Sequence, residues 1–125
     1  PGEADLAAAR FLESVCRSLF SNSIVLGGPS PQQPGALRMY GGGAGQMDRV
    51  ASCELAIRKA GPLARGATAF SDAFFPFPDG PEALIAAGVS TIVHPGGSKR
   101  DAETFALCNA KGITCLVTGV RHFRH

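Results

Sequence analysis

The sequence predicts an α/β protein built as a three-layer sandwich, in which a mixed sheet has an N-terminal antiparallel hairpin followed by parallel strands. Apolar stretches at helical or strand spacing follow one another in the order helix, strand, strand, helix, strand, helix, strand, helix, strand. The last three strands alternate with helices, which predicts parallel strands joined by right-handed crossovers. The first two strands are joined by a loop alone, which most simply makes a hairpin.

Each element is predicted from its apolar periodicity and from the residues that end it. In the first half these are a helix over residues 4–20, a strand over 24–26, a turn-rich loop over 27–35, a strand over 36–40, a glycine-rich connection over 41–46 and a helix over 47–60. In the second half they are a strand over 67–70, a helix from 79 to 88, a strand over 89–93, a helix over 99–110 and a strand over 113–118. Asp79 is expected to cap its helix, and Pro81 suits the first turn.

Composition excludes several classes of function. The 125 residues suffice for one domain, and a formal net charge of +2 without a long basic run gives no indication of nucleic-acid binding. No apolar run approaches the roughly 20 residues of a membrane span, and the N-terminus lacks the apolar core of a signal peptide. The four cysteines match no metal or redox spacing, so we expect buried free thiols in a cytoplasmic protein. Because the chain starts with Pro1 rather than Met, we expect the start of a longer protein to be missing.

Residues 71–80, hereafter the aromatic segment, are the most unusual stretch of the chain. Four of the eight phenylalanines lie between Phe70 and Phe77, with two prolines and two aspartates among or beside them. The prolines exclude a central strand, because each lacks a ladder donor. One interpretation is a rigid apolar wall beside a flat ligand ring at the end of a strand, and the other is a hydrophobic loop that fills the core.

The stretches at 96–98 and 121–125 are expected to join the aromatic segment near the carboxyl ends of the parallel strands, where ligands bind in sheets of this kind. The helix start at 45–46 follows the second hairpin strand and can reach the same region. The Gly-Gly-Ser stretch at 96–98 can bring backbone donors close to an anion, or can be a plain strand-to-helix turn capped by Ser98. Arg49 can bind a phosphate or carboxylate, or can be a solvated surface residue. The tail at 121–125 is typical either of a segment held in a site or of a solvated basic terminus. His94 is expected to pack beside the following proline rather than to act as a catalyst.

Five motifs, in order along the chain, carry a resemblance to a known family. They are Ser-Asn-Ser-Ile-Val at 21–25, Gly-Ala-Gly-Gln-Met-Asp-Arg-Val at 43–50, Ser-Asp-Ala-Phe-Phe-Pro-Phe at 71–77, Pro-Gly-Gly-Ser at 95–98 and Arg-His-Phe-Arg-His at 121–125. Together they resemble the C-terminal end of aminoimidazole carboxamide ribonucleotide (AICAR) transformylase. That family is the transformylase part of bifunctional purine biosynthesis proteins, whose other activity is inosine monophosphate (IMP) cyclohydrolase.

The resemblance implies a fold, a reaction and a partner. Residues 1–125 would be a single domain, the second of two cytidine-deaminase-like subdomains, without zinc, and the first subdomain and the cyclohydrolase domain would be absent from this fragment. The family transfers a formyl group from its cosubstrate 10-formyltetrahydrofolate to the 5-amino group of AICAR, giving formyl-AICAR and then IMP. Its active sites form between two copies, so the whole enzyme would be a cytoplasmic homodimer.

The resemblance also implies roles for individual residues. The nucleotide would be contacted by Asn22, Arg49, Phe74, Arg121 and Phe123. The folate would be contacted by Val50, Ala73, Phe74, Pro76, Phe77, Asp79, Ser98 and Lys99. The Asp79 carboxylate would accept hydrogen bonds from the donor edge of the pterin. A potassium ion would lie close to Asp72.

No catalytic residue is expected within this chain. The family's catalytic Lys-His pair lies in the first subdomain, and no lysine here is followed by a histidine. We therefore expect the fragment alone to be inactive. Two other hypotheses stay open: a stand-alone module that binds a folate or a purine nucleotide, and a deaminase relative that binds zinc, which the lack of a ligand cluster disfavours.

Overall fold

The described part of the chain consists of helices and strands in the order that the sequence predicts. In the computed structural model, the residues described are 2–16, 23–44, 48–72, 75, 78–97 and 101–118. Their elements are α1 (Glu3–Cys16), β1 (Ile24–Pro29), β2 (Leu37–Gly43), α2 (Arg49–Ala60), a 3-10 turn (Gly61–Ala64), β3 (Thr68–Ser71), α3 (Asp79–Ala86), β4 (Thr91–His94), α4 (Asp101–Lys111) and β5 (Thr114–Val117).

The strands form one mixed sheet in the order β2-β1-β3-β4-β5. β1 pairs antiparallel with β2 as a hairpin, and pairs antiparallel with β3 on its other side. β3, β4 and β5 run parallel to one another. The predicted hairpin and the predicted parallel strands are both confirmed.

Helices cover both faces of the sheet. On one face α1 packs against the strands, where Leu12 joins Val25 and Val93 in a buried cluster. The other face is covered by α2, α3 and α4, and Ile24 and Leu26 belong to the cluster on that side. Successive strand residues point to opposite faces, so β1 is buried on both sides. The predicted three-layer sandwich is confirmed.

The glycine-rich stretch over 41–46 was expected to be a connection, and that prediction is wrong for residues 41–43. Residues 45 and 46 lie outside the described part of the chain. Gly41 and Gly43 belong to β2, where Gly43 pairs with Ile24 of β1. The reason is the close approach of α2, because a Cβ on Gly41 would lie 2.5 Å from the carbonyl oxygen of Ala56 and 2.7 Å from the amide nitrogen of Ala60. Glycine here permits direct contact between a helix and a strand.

The helix starts also differ from the predictions. α2 begins two residues later than expected, and the Asp48 side chain caps it by accepting a hydrogen bond from the Ala51 amide at 2.7 Å. Asp79 does not cap α3, because Pro78 occupies the cap position and Asp79 is the first helical residue. Its negative charge still favours the helix, since it lies at the positive end of the helix dipole.

Candidate functional site

The carboxyl ends of four strands and the N-termini of three helices meet at one edge of the sheet, hereafter the carboxyl edge. β2 points in the same direction as β3, because both are antiparallel to β1. α2, α3 and α4 follow β2, β3 and β4, so each of these helices starts at this edge. Helix N-termini present free N–H groups and a partial positive charge. The carboxyl edge therefore favours a ligand with negative charge or with acceptor oxygens.

A buried ion pair lies at this edge. Nη1 of Arg49, the first residue of α2, contacts Oδ1 of Asp72, which directly follows β3. The side chains are only 9% and 1% exposed. The Asp72 amide donates a hydrogen bond of 3.1 Å to the carbonyl oxygen of Ser23, at the start of β1. The pair thus ties the start of α2 to the ends of two neighbouring strands.

The guanidinium of Arg49 keeps one donor that the described residues do not satisfy. Its Nε is buried and has no hydrogen-bond partner there. A buried donor without an acceptor costs about 1–3 kcal/mol, so an added acceptor oxygen at this point would be stabilised. The Cys53 thiol is not a competing anion, because burial raises its pKa to about 12 even though the charge of Arg49 opposes the shift.

The connection after β4, residues 95–97 and hereafter the glycine turn, is held by side chains of the protein. Gly96 and Gly97 have φ values of +77° and +104°, which L-residues rarely adopt. The Gly96 amide donates to Nδ1 of His94 at 3.2 Å, and the Gly97 amide donates to Oδ2 of Asp101 at 2.9 Å. Both amides are therefore already paired within the protein, as the plain-turn interpretation expects.

His94 is buried between aromatic rings, as its expected packing role requires. Its ring centroid lies 5.7 Å from that of Phe75 and 5.9 Å from that of Phe105 in α4. Phe75 itself is 1% exposed and belongs to the core cluster under α2–α4. For this ring of the aromatic segment, the core-filling interpretation is correct.

The residues predicted for the site fall into two groups. Arg49 and Asp72 are brought together, Val50 lies half-buried beside Arg49, and Asp79 is exposed at the start of α3. The other predicted residues lie outside the described part of the chain, and these are Asn22, Ala73, Phe74, Pro76, Phe77, Ser98, Lys99, Arg121 and Phe123. Their roles stay predictions.

Two residues that support the edge were missed by sequence reasoning. Asp101 accepts from the glycine turn, and its place three residues after Ser98, at the start of a helix, is a spacing that can suggest a capping role. His94 accepts from an amide two residues further along the chain. No sequence pattern indicates that bond, because no residue type or spacing encodes it.

Cys108 and Cys115 lie together between α4 and β5. The hydrogen bond from the Cys115 thiol lowers the pKa of Cys108, against the effect of burial. The same hydrogen bond and burial raise the pKa of Cys115. Cys53 and Cys108 are buried free thiols as predicted, whereas Cys115 is half-buried.

Two features of the described residues bear on metal ions and on membranes. They contain no group of three or more His, Cys, Asp or Glu side chains placed to hold a metal ion. Among the helices in those same ranges, none combines the length and the hydropathy needed to cross a bilayer.

Comparison with solved structures supports the predicted fold. Two forms of RibD from Acinetobacter baumannii superpose with TM-scores of 0.54 and 0.53 at 21% and 20% sequence identity. The matches cover 90% and 91% of this chain and 33% of the RibD chain. At this identity the likeness establishes the fold alone. The predicted cytidine-deaminase-like fold is confirmed.

Comparison with curated proteins gives a much closer likeness. No family model matches the chain. A protein from Cutibacterium acnes is 46% identical over 98% of this chain, and one from Mycobacterium leprae is 48% identical over 99% of it. Both are named bifunctional purine biosynthesis protein PurH, and the chain spans 22% of their length. Over nearly its whole length, this chain is therefore similar to about one fifth of a bifunctional purine biosynthesis protein.

Proposed function

We propose that the chain is the second cytidine-deaminase-like subdomain of an AICAR transformylase, within a bifunctional purine biosynthesis protein. The longer protein would act in the cytoplasm as a homodimer and transfer a formyl group from 10-formyltetrahydrofolate to AICAR. The observation that carries this proposal is the similarity of nearly the whole chain to proteins named PurH. The five motifs that resemble the transformylase support the choice of that part of the protein.

The buried ion pair supports a nucleotide site at the carboxyl edge. Asp72 holds the Arg49 guanidinium in one place, and the unpaired Nε still needs an acceptor. An oxygen of the nucleotide would satisfy that donor in a charge-assisted hydrogen bond. Because the guanidinium is fixed before the ligand arrives, little side-chain entropy is lost on binding.

The folate would lie beside the nucleotide along the same edge. Val50 is adjacent to Arg49 and half-buried, so it can offer apolar surface to a ring. Asp79 is exposed at the start of α3, where an ionised carboxylate can accept hydrogen bonds from pterin N–H groups. The proposed stacking ring is Phe74, which lies five residues before Asp79 in the sequence.

The proposed potassium ion fits the described residues poorly. The carboxylate that would attract it, Asp72, is already paired with Arg49. The positive guanidinium would repel a second cation at the same oxygen atom. We derive no step of the reaction through potassium.

This chain would bind and orient the reactants rather than move the proton. Transfer of the formyl group requires the amino nitrogen of AICAR to attack the formyl carbon while the bond from that carbon to N10 of the tetrahydrofolate breaks. The amino nitrogen loses a proton, and the departing N10 gains one. Holding both reactants at one edge supplies proximity and orientation, which account for a large part of many rate enhancements. The general base is proposed to be the Lys-His pair of the other subdomain.

The first test compares the kcat/KM of two variants of the full-length protein with that of the wild type. Replacing Arg49 with Met should lower kcat/KM for AICAR by about 10- to 150-fold, as expected for the loss of a charged hydrogen bond. Arg58→Met is the matched control, because Arg58 lies exposed near the other end of the same helix. Its kcat/KM should stay within about twofold of the wild type.

Two further measurements test the rest of the assignment. Phe74→Ala and Arg121→Ala in the full-length protein should each reduce turnover strongly, and wild-type kinetics for both would contradict the assigned roles. The 125-residue chain alone should show no formyl transfer. Turnover by that chain would contradict the proposal that the general base lies in the other subdomain. If the 125-residue chain binds a folate or a purine nucleotide and the longer protein shows no turnover, the stand-alone binding module is favoured.

A further inference from the structure

His94 occupies a position from which it can hold two parts of the carboxyl edge at once. It is the last residue of β4 and is fully buried. Its Nδ1 accepts the Gly96 amide hydrogen at 3.2 Å, and its Nε2 lies 3.5 Å from Sγ of Cys115. Because Nδ1 is the acceptor, a neutral ring must carry its hydrogen on Nε2, directed at that sulfur.

The ring is also fixed by aromatic neighbours on two elements. Phe75 approaches it edge-on, with an interplanar angle of 63°, and Phe105 lies tilted against it at 37°. Phe75 lies within the aromatic segment, and Phe105 lies in α4, beyond the glycine turn. A single imidazole therefore contacts the segment that follows β3 and holds the turn that follows β4.

The surroundings of the ring favour its neutral form. Burial lowers the pKa of His94, and Asp101 of α4 opposes that shift without reversing it. The Cys115 thiol of β5 lies beside the ring, and it is in turn hydrogen-bonded to the Cys108 thiol of α4. A second ring proton would have to sit on Nδ1, where the Gly96 N–H already points, so two donors would face each other.

We propose that His94 is a positioning residue, whose Nδ1 fixes the glycine turn and whose ring fixes Phe75, so that the folate-facing side of the carboxyl edge is preformed. This inference rests on the proposed function for the identity of the ligand. His94 contacts no reactant, and it acts through the turn that leads to Ser98 and Lys99. Its loss should therefore weaken folate binding more than it slows the chemical step.

Two variants of the full-length protein separate the acceptor from the ring. His94→Phe keeps an aromatic ring between Phe75 and Phe105 but removes the acceptor. His94→Asn removes the ring but keeps an acceptor oxygen close to the position of Nδ1. The measurements are the Kd and KM for 10-formyltetrahydrofolate, kcat, and the thermal midpoint of unfolding.

The expected pattern is a split between the two variants. His94→Phe should raise the Kd and KM for the folate by about 5- to 10-fold, the range of one hydrogen bond, with kcat changed by less than about twofold. His94→Asn should keep the folate Kd within about threefold of the wild type and should show the larger fall in thermal midpoint, since it loses the ring contacts. Equal losses of affinity in both variants, or none in His94→Phe, would overturn the proposal.

The failure of this inference can be told apart from failure of the proposed function. A wild-type protein that binds the folate but transfers no formyl group contradicts the proposed function, and the two Kd values still decide the role of His94. If neither variant folds, nitrogen NMR of the wild-type imidazole at pH 7 replaces them. An unprotonated Nδ1 and a protonated Nε2 support the proposal, and the reverse tautomer or a doubly protonated ring overturns it.

Discussion

Removing one charge of the Arg49–Asp72 ion pair should lower the free energy of unfolding by a large and measurable amount. Replacing Arg49 with Met leaves the Asp72 carboxylate, 1% exposed, without its counter-charge. Removing one partner of a buried pair typically costs about 3–5 kcal/mol. Asp72→Asn should cost a similar amount, because it leaves the guanidinium buried with Nε already unpaired.

The double variant should be far less damaging than the sum of the two single variants. Arg49→Met with Asp72→Leu removes both charges, and exchanging a buried pair for apolar residues is often close to neutral. Urea unfolding followed by circular dichroism measures all three. With a slope of about 2 kcal/mol/M, a loss of 3–5 kcal/mol moves the midpoint down by about 1.5–2.5 M.

Two results would refute this reasoning. The first is a single-variant shift below about 0.3 M, comparable to that expected of the exposed control Arg58→Met. The second is additivity of Arg49→Met and Asp72→Leu in the double variant, because residues in direct contact should show a coupling energy. Either result would mean that the pair is solvated rather than buried.

Two further predictions concern the packing around this edge. The free energy of unfolding should fall as the pH drops below about 6.5. The reason is that folding lowers the pKa of His94, so the unfolded chain takes up a proton at a higher pH than the folded protein does. Measuring the urea midpoint against pH in the wild type and in His94→Phe isolates this contribution. Gly41→Ala should destabilise the protein by about 1–3 kcal/mol, because the added Cβ would meet the backbone of Ala56 and Ala60. Gly2→Ala is the control, since nothing lies within 4 Å of its added Cβ, and an equal loss in both would contradict the packing argument.

The hairpin and the parallel strands could be predicted because they depend on the succession of elements along the chain. The antiparallel pairing of β1 with β3 was not predicted. Alternation of strands with helices fixes parallel pairing, and a short loop between strands fixes a hairpin. The length of β2 could not be predicted in the same way. Glycine has low strand propensity, and only the contact of α2 with Gly41 and Gly43 explains why glycine occupies a strand there.

The buried ion pair could be predicted as two separate residues of interest but not as an arrangement. Arg49 and Asp72 were each singled out from motifs, yet their pairing joins positions 23 residues apart, and no local pattern encodes it. Asp72 was predicted to lie close to a potassium ion, because the sequence alone does not show that its carboxylate pairs with Arg49. The hydrogen bond from the Gly96 amide to His94 was not predicted, because no residue type or spacing in the sequence encodes it.

The carboxyl edge is assembled from groups that also complete the core. Arg49, Asp72 and His94 are buried and joined to β1, α2 or the glycine turn by hydrogen bonds, so a change in any of them alters both the fold and the ligand surface. Asp79 differs, because it is exposed at the first turn of α3 and contributes at most about 1 kcal/mol through the helix dipole. Affinity and stability should therefore vary together at the buried positions and separately at Asp79. That contrast follows from burial alone, and it distinguishes buried residues that build the carboxyl edge from an exposed residue on its surface.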